Sequence, residues 1–393
     1  MTSPIANTYA RLPVGFTHGK GVWLFDGAGN AYLDGLAGIG VSCLGHAHPA
    51  LVRAISEQAA KVIHTSNIYE VPLQTKLAQR IVDISGLDEV LFSNSGAEAN
   101  EGAIKIARLY GYLKGNSLPT IITMESSWAG RTIGTLAATS SEKARKGFGP
   151  LPEGFVQVKY NDIEAVKDAA AKEPRVVAIL LEVLQGEGGI RPSDTQYLKD
   201  LRALCDKNEW LLMIDEVQSG IGRTGKWLAH QWADVKPDVI TLAKGLAGGV
   251  PIGAMVAGGR AAGVFSPGTH GTTFGGGPLV CAAGLAVFET IEKENLLENA
   301  QVVGDHLKSR LEHALVNTEG VKDIRGRGLM LGIELERPCG ILAQQALEAG
   351  LLINVTRDTV IRLLPPLILS KEEADIIVDR LVPLIQQFLK RSS

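Results

Sequence analysis

The sequence predicts an α/β protein built around a large, mainly parallel sheet. Three observations carry this. Short runs of apolar and β-branched residues recur at 90–92, 120–124, 176–181, 211–214 and 239–242. Runs of this length without polar alternation, bounded by Gly and Pro, suit strands buried on both faces. Between them lie segments with apolar residues at helical spacing, which is the pattern of strand–helix–strand units. Finally, 45 glycines supply the tight turns and close backbone approaches that such units need.

Taken in order, residues 22–26 and 31–34 flank Gly-Ala-Gly-Asn, a hairpin signal. Residues 36–48, LAGIGVSCLGHAH, form a glycine-spaced loop. His46 and His48 lack an acidic or cysteine neighbour in sequence, so no metal site is expected there. A helix is expected from Pro49. In 71–84, Leu73, Leu77, Ile81 and Ile84 fall on one helical face. The strand at 90–92 leads into SNSGAEANEGAIKIARLYGY, a helix opening at Ser-Gly-Ala with Ala103, Ile106, Ala107 and Tyr110 inward. Its first amides, at Gly96 and Ala97, suit an anion. Ser95 with Glu98 equally reads as a capping box, and the two readings are compatible.

The strand at 120–124 runs into ESSWAGRT, where Trp128 stands at a strand end; an aromatic in such a place can lie on the face of a conjugated ring. After the charged loop 141–154 comes the strand 176–181, followed by Glu182, Gln185 and Glu187. Leu198, Leu201, Leu204 and Cys205 mark the inward face of the next helix. A long helix is expected from Pro278, then a second carrying Val303, Leu307, Leu311 and Leu315. GRGLMLGIELE reads as one strand-like run. Ser370 and Glu373 form a capping box for a last helix with Ile376, Ile377, Leu381 and Leu384 inward.

The chemistry concentrates in LLMIDEVQSGIGRTG and VITLAKGLAGG. Each holds a short strand that ends at a charged residue, Asp215 in one and Lys244 in the other. Ligands of open α/β sheets sit at the carboxyl ends of strands. A Lys amine condenses with a carbonyl when its surroundings lower its pKa. Pyridoxal 5'-phosphate supplies such an aldehyde, and a carboxylate beside its pyridine nitrogen keeps that nitrogen protonated. Asp215 and Lys244 fit the two roles; a structural ion pair is the alternative for any isolated Asp and Lys.

IDEVQSGIGRTG followed by TLAKGLAGGVPIGA resembles the core signature of the class III (ω-amino acid) aminotransferases, and the likeness runs from about Tyr9 to Leu369. It implies the fold type I architecture of pyridoxal-phosphate enzymes. The division expected is an N-terminal segment 1–48 joining the small domain, a large cofactor-binding domain 49–285, and a small α+β domain 286–393. It implies cofactor contacts from Ser95, Gly96, Ala97, Trp128, Asp215, Val217, Gln218 and Lys244. Thr273, reaching across a homodimer interface, is assigned to the cofactor phosphate. Substrate contacts implied are Arg131, Glu187, Arg362 and, from the partner, Thr272. In SWAGRT, Trp128 replaces the usual Phe and Ala129 stands where relatives carry His or Trp. In LEVLQGEGG, Val183 replaces a Pro, and Glu182 is read as structural. Tyr9 is either a pocket residue or a packing residue.

Within the family, the chain resembles the acetylornithine and ornithine aminotransferases. An ornithine enzyme supplies a Tyr on the 36–48 loop, where Ile39 stands here. An apolar residue there leaves a second substrate ammonium unpaired, so N-acetyl-L-ornithine is expected as donor and 2-oxoglutarate as acceptor, giving N-acetyl-L-glutamate 5-semialdehyde and L-glutamate, a step of arginine biosynthesis. Ornithine, succinylornithine and other ω-amino acids are the alternatives. Different chemistry on the same residues would be an aminomutase, a decarboxylase, a cofactor-free lyase using Lys244, or a binding protein.

Composition bounds this further. Hydrophobic residues make up 45% of the chain and charged residues 21%, enough for a sizeable core. The net charge of −3, without a run of one sign, gives no electrostatic case for nucleic acid or an anionic membrane. Cys43, Cys205, Cys281 and Cys339 are too dispersed for a zinc site and read as reduced thiols. No signal peptide or membrane span is legible, which leads to a cytoplasmic expectation.

Overall fold

A computed structural model describes residues 4–390. Strands β1 (Phe16–Lys20), β2 (Trp23–Asp26) and β3 (Ala31–Asp34) form an N-terminal meander: β2 and β3 are the expected hairpin, and β1 is an additional strand paired with β2. Its tight turn closes on Asp26, whose carboxylate accepts hydrogen bonds from the Ala28 and Asn30 amides, both at 2.9 Å. The large sheet follows from β4 (Glu89–Ser93), β5 (Thr120–Met124), β6 (Phe155–Val158) and β7 (Val176–Glu182). A two-stranded ribbon, β8 (Leu184–Gln185) and β9 (Arg191–Pro192), interrupts it. The sheet resumes with β10 (Leu211–Asp215), β11 (Val239–Leu242) and β12 (Gly253–Ala257).

The spatial order is β4-β12-β11-β10-β7-β5-β6. Pairing is parallel from β11 through β6, and β12 runs antiparallel to both β11 and β4. Every residue of β5, β7, β10, β11 and β12 is buried. That is the physical reason β5, β7, β10 and β11 read as unbroken apolar runs. The helix Gly96–Leu113 lies on this sheet with Ala103, Ile104, Ala107 and Tyr110 inward.

Two strands of this sheet were not legible. GAMVA, in β12, follows Gly-Gly-Val-Pro and reads as loop, yet it inserts between β11 and β4. Gly253 is required at its start: a Cβ there would lie 2.2 Å from the Ser95 carbonyl oxygen. β6 is an edge strand of four residues, too short for a periodic signal.

The C-terminal part holds β13 (Val321–Arg327), β14 (Met330–Leu335), β15 (Leu351–Leu352), β16 (Asn354–Thr356) and β17 (Val360–Leu363). Four of them form an antiparallel sheet in the order β13-β14-β17-β16. β15 instead pairs with β3, tying the N-terminal meander to the C-terminal part. The GRGLMLGIELE run is therefore not one strand. It is the turn and second arm of a hairpin, with Gly328 in the left-handed region at φ +54. The long helices Pro278–Lys293 and Leu296–Leu315 and the final helix Lys371–Lys390 match expectation. Ser370 and Glu373 exchange both capping bonds, at 2.9 and 3.1 Å.

Candidate active site

β10 and β11 are adjacent and parallel, so Asp215 and Lys244 come to the same end of the sheet. Lys244 follows β11 with φ +46, a left-handed backbone that directs the chain sharply away from the strand. Both residues line a cavity of about 420 Å³. Asn94, Ser95, Gly96 and Ala97 line one part of it, and Trp128, Arg131, Glu182, Glu187, Val217 and Gln218 line the rest. Fragments distant in sequence meet here because each sits at the carboxyl end of a strand or at the start of the helix that follows.

Asp215 is held firmly. One carboxylate oxygen accepts from the Asn100 amide nitrogen at 2.7 Å, the other from the Val217 amide at 2.9 Å. Asn100 in turn accepts from the Thr241 hydroxyl at 2.7 Å and donates to the Ala129 carbonyl at 2.8 Å. Burial pushes the Asp215 carboxyl above its usual range, while the Asn100 bond pulls the other way. A buried carboxylate so placed is completed by a cation. Glu182, its cross-strand neighbour on β7, is pushed up by burial and then by the Asp215 charge. It accepts from the amides of Trp128 and Gly186, both at 3.3 Å.

Lys244 has its amine pushed down to about 8, first by desolvation and then by the positive charge of Arg362. An amine with that pKa has a substantial neutral, nucleophilic fraction near neutral pH. Across the cavity, Ser95 caps the helix Gly96–Leu113 and its hydroxyl accepts from the Glu98 amide at 3.2 Å. The Glu98 carboxylate closes the turn on the Asn94 amide rather than on Ser95. Gly96 is demanded by space: a Cβ would stand 2.7 Å from Val217. Val217 is thus pressed against the helix start and faces the cavity.

On the opposite wall, the Arg131 guanidinium stacks over the Trp128 ring at 4.7 Å from its centroid. Arg131 is exposed, and Trp128 is half-buried. Arg362, on β17, is 1% exposed and does not itself line the cavity. Glu187 stands in front of it, 2.6 Å from the guanidinium. Gln218 accepts a second bond from the same nitrogen at 3.3 Å. Glu187 and Arg362 thus form an ion pair, with the carboxylate toward the cavity and the guanidinium behind.

Thr272 and Thr273 lie outside this cavity. The Thr272 hydroxyl accepts from Asn94 at 3.2 Å, and Thr273 is exposed. Tyr9 is 70% exposed and away from the site. Ile39 is also off the cavity wall, at φ +68 and 37% exposed; Val41, two residues on, is the loop's contribution to the lining. His46 and His48 face different acids, Asp34 at 2.8 Å and Glu294 at 3.3 Å. Sequence reasoning missed Asn100. Its signal was available: a polar residue one helical turn before Ala103 and Ile104, on a face otherwise apolar. Glu182, read as structural, proves to be a cavity wall.

The sequence profile of the aminotransferase class-III family matches residues 5–385. Acetylornithine aminotransferase 1 of Bordetella bronchiseptica is 70% identical over 389 residues, covering 99% of each chain. Acetylornithine aminotransferase of Nitrosomonas europaea is 53% identical over 388 residues, again covering 99% of each. Among solved structures, ornithine aminotransferase of Toxoplasma gondii superposes with a TM-score of 0.94 at 33% identity, covering 99% of this chain and 94% of that one. Acetylornithine aminotransferase of Elizabethkingia anophelis does so with a TM-score of 0.86 at 35% identity, covering 98% of this chain and 96% of that one. By sequence and by fold, this chain belongs to the class III aminotransferases.

Proposed function

We propose that this aminotransferase moves the ω-amino group of N-acetyl-L-ornithine to 2-oxoglutarate, yielding N-acetyl-L-glutamate 5-semialdehyde and L-glutamate. The observation that carries the chemistry is the placing of Asp215 and Lys244 at neighbouring strand ends on the wall of one cavity. The choice of donor is supported by the full-length relatives named above.

The residues fit pyridoxal 5'-phosphate. A glycine-tight helix start at Gly96 offers amides to a phosphate, and Asp215 needs a cationic partner. That cofactor, when bound, supplies an electrophilic carbonyl and an electron sink for the substrate's reacting carbon. Ser95, Gly96 and Ala97 would hold the phosphate end, joined by Thr273 of a second subunit. Trp128 and Val217 would cover the two ring faces, and Gln218 would take the ring hydroxyl. Asp215 would keep the ring nitrogen protonated, with Asn100 fixing the carboxylate's orientation. Lys244, its amine lowered toward neutrality, would take a proton from the substrate carbon as general base and deliver it as general acid to the carbon that bore the cofactor aldehyde. Arg131 binds the carboxylate far from the reacting carbon in both substrates.

Glu187 covers Arg362 while the amine donor, which has no carboxylate at its reacting end, occupies the site. It turns away when 2-oxoglutarate or glutamate brings one. One amino group thus passes between two substrates in alternation, which predicts ping-pong kinetics. That Thr272 and Thr273 do not line the cavity of their own chain supports a homodimer with shared sites. The joining of the N-terminal segment to the small C-terminal domain is supported by the pairing of β15 with β3; the helix Pro278–Lys293 runs unbroken through residue 285. Four free thiols suit a reducing, cytoplasmic setting.

The deciding measurement is kcat/KM for N-acetylornithine and ornithine side by side, with 2-oxoglutarate as acceptor. We expect the acetylated donor to be preferred at least tenfold. Equal or better use of ornithine would replace this reading with an ornithine aminotransferase. With Ile39 off the cavity wall, Val41 is the apolar residue through which the 36–48 loop acts on the donor.

A further inference from the structure

Residues 354 and 356 of β16 are two apart, so their side chains share one face of the strand. That face meets both members of the Glu187–Arg362 pair. Asn354 lies directly opposite Arg362 in the antiparallel β16–β17 register. Its carboxamide oxygen accepts from the Arg362 Nε at 3.1 Å. Thr356, 5% exposed, donates its hydroxyl to the Glu187 backbone carbonyl at 2.6 Å. The two ends of the ion pair differ in freedom: the Arg362 side chain is 1% exposed and that of Glu187 34%. The guanidinium is therefore enclosed, and the carboxylate is the part with room to turn.

Opening this pair leaves a buried guanidinium without its counter-ion until a substrate carboxylate arrives, a costly state. A guanidinium is planar, so one hydrogen bond at Nε sets the plane of all its donors. A neutral acceptor does this without competing for the charge. We propose that Asn354 is a positioning residue for the α-carboxylate half-reaction: it keeps Arg362 aimed at the cavity after Glu187 turns away. Thr356 pins the Glu187 backbone at the same time, so the carboxylate alone moves and returns. This rests on the reading of Arg362 as the α-carboxylate ligand.

The test separates the two half-reactions of the holoenzyme. N354A is expected to raise the KM for 2-oxoglutarate and for glutamate about tenfold, the loss of one charge-assisted hydrogen bond. The KM for N-acetylornithine stays within twofold, because Glu187 still covers Arg362 in that half. Glutarate, an unreactive dicarboxylate, should bind about tenfold more weakly by calorimetry. N354D should impair the same half-reaction more severely, since a fixed second carboxylate neutralises Arg362; it carries the test if N354A does not fold. R362A is the control. If R362A is selective for the dicarboxylate half but both Asn354 variants are silent, or slow both halves equally, the assignment of Asn354 is wrong. If R362A is itself unselective, the role of Arg362 falls first.

Discussion

At the scale of single residues, the site trades stability for reactivity. Lys244 pays no such penalty in the unfolded chain, where its amine titrates near 10.5; in the fold it titrates at about 8. The folded state therefore binds fewer protons between those values. The resulting destabilisation is fully present below about pH 8 and disappears as pH rises through the ordinary lysine range. Lys244→Met keeps the stem and removes the charge. It should abolish turnover and raise the melting temperature of the cofactor-free protein at pH 7, by up to about 3 kcal/mol of stability. The gain should fade between pH 8 and 10.5; a melting temperature unchanged at pH 7 would mean that solvent in the cavity stabilises the ammonium. Asp215→Asn removes the ring-nitrogen charge partner and leaves the Asn100 contact only partly satisfied. Cofactor binding should persist, seen as a visible absorption band, while kcat drops roughly a thousandfold. A near-normal rate would mean that another group protonates the ring.

At the scale of elements, strand ends and one helix start do the positioning. β7, β10 and β11 present Glu182, Asp215 and Lys244, and the helix Gly96–Leu113 brings its first amides to the same cavity. The closeness of that helix to the β10 loop is set by Gly96. Gly96→Ala inserts a methyl group 2.7 Å from Val217, where overpacking costs about 1–3 kcal/mol. Cofactor affinity, titrated through the absorption band, should fall about tenfold or more, with the secondary structure unchanged by circular dichroism. An unaltered affinity would show that Val217 yields freely and does not fix the ring face. The antiparallel β12 has a comparable supporting part, since Gly253 lets it approach the Ser95 carbonyl closely.

For the whole molecule, the surface around Thr272 and Thr273 carries the main consequence. Ile63, Ile68, Tyr69 and Phe274 are 58–80% exposed. Phe274 packs on His64 at 5.3 Å, and Asn67 donates to the Thr272 carbonyl at 3.1 Å, so these residues form one neighbourhood. A contiguous apolar surface of this kind marks an association site. Ile68→Asp should yield monomers in sedimentation analysis and lose at least 90% of activity, because in the proposed shared-site homodimer Thr273 would then no longer reach the partner's cavity. A fully active monomer would overturn the shared-site arrangement.

The sequence by itself determined β5, β7, β10 and β11, the placing of Asp215 and Lys244 at strand ends, and the main helices. Each depends on local pattern: an unbroken apolar run, a charge at its end, apolar residues at helical spacing. It also supplied Glu187 and Arg362 as candidates, through family resemblance. Tertiary structure alone decided the place of β12, a glycine-rich segment whose strand form comes from neighbours on both edges. It decided that GRGLMLGIELE turns midway, because β14 must return along β13 to pair with β17. It also decided that Asn100 and Glu182 line the cavity, that Asn354 hydrogen-bonds Arg362 behind it, and that Ile39 turns off the cavity wall with Val41 in its place. Those roles depend on contacts between residues far apart in the chain, such as Asn100 with Asp215 and Thr241, and no local periodicity encodes a partner at that distance.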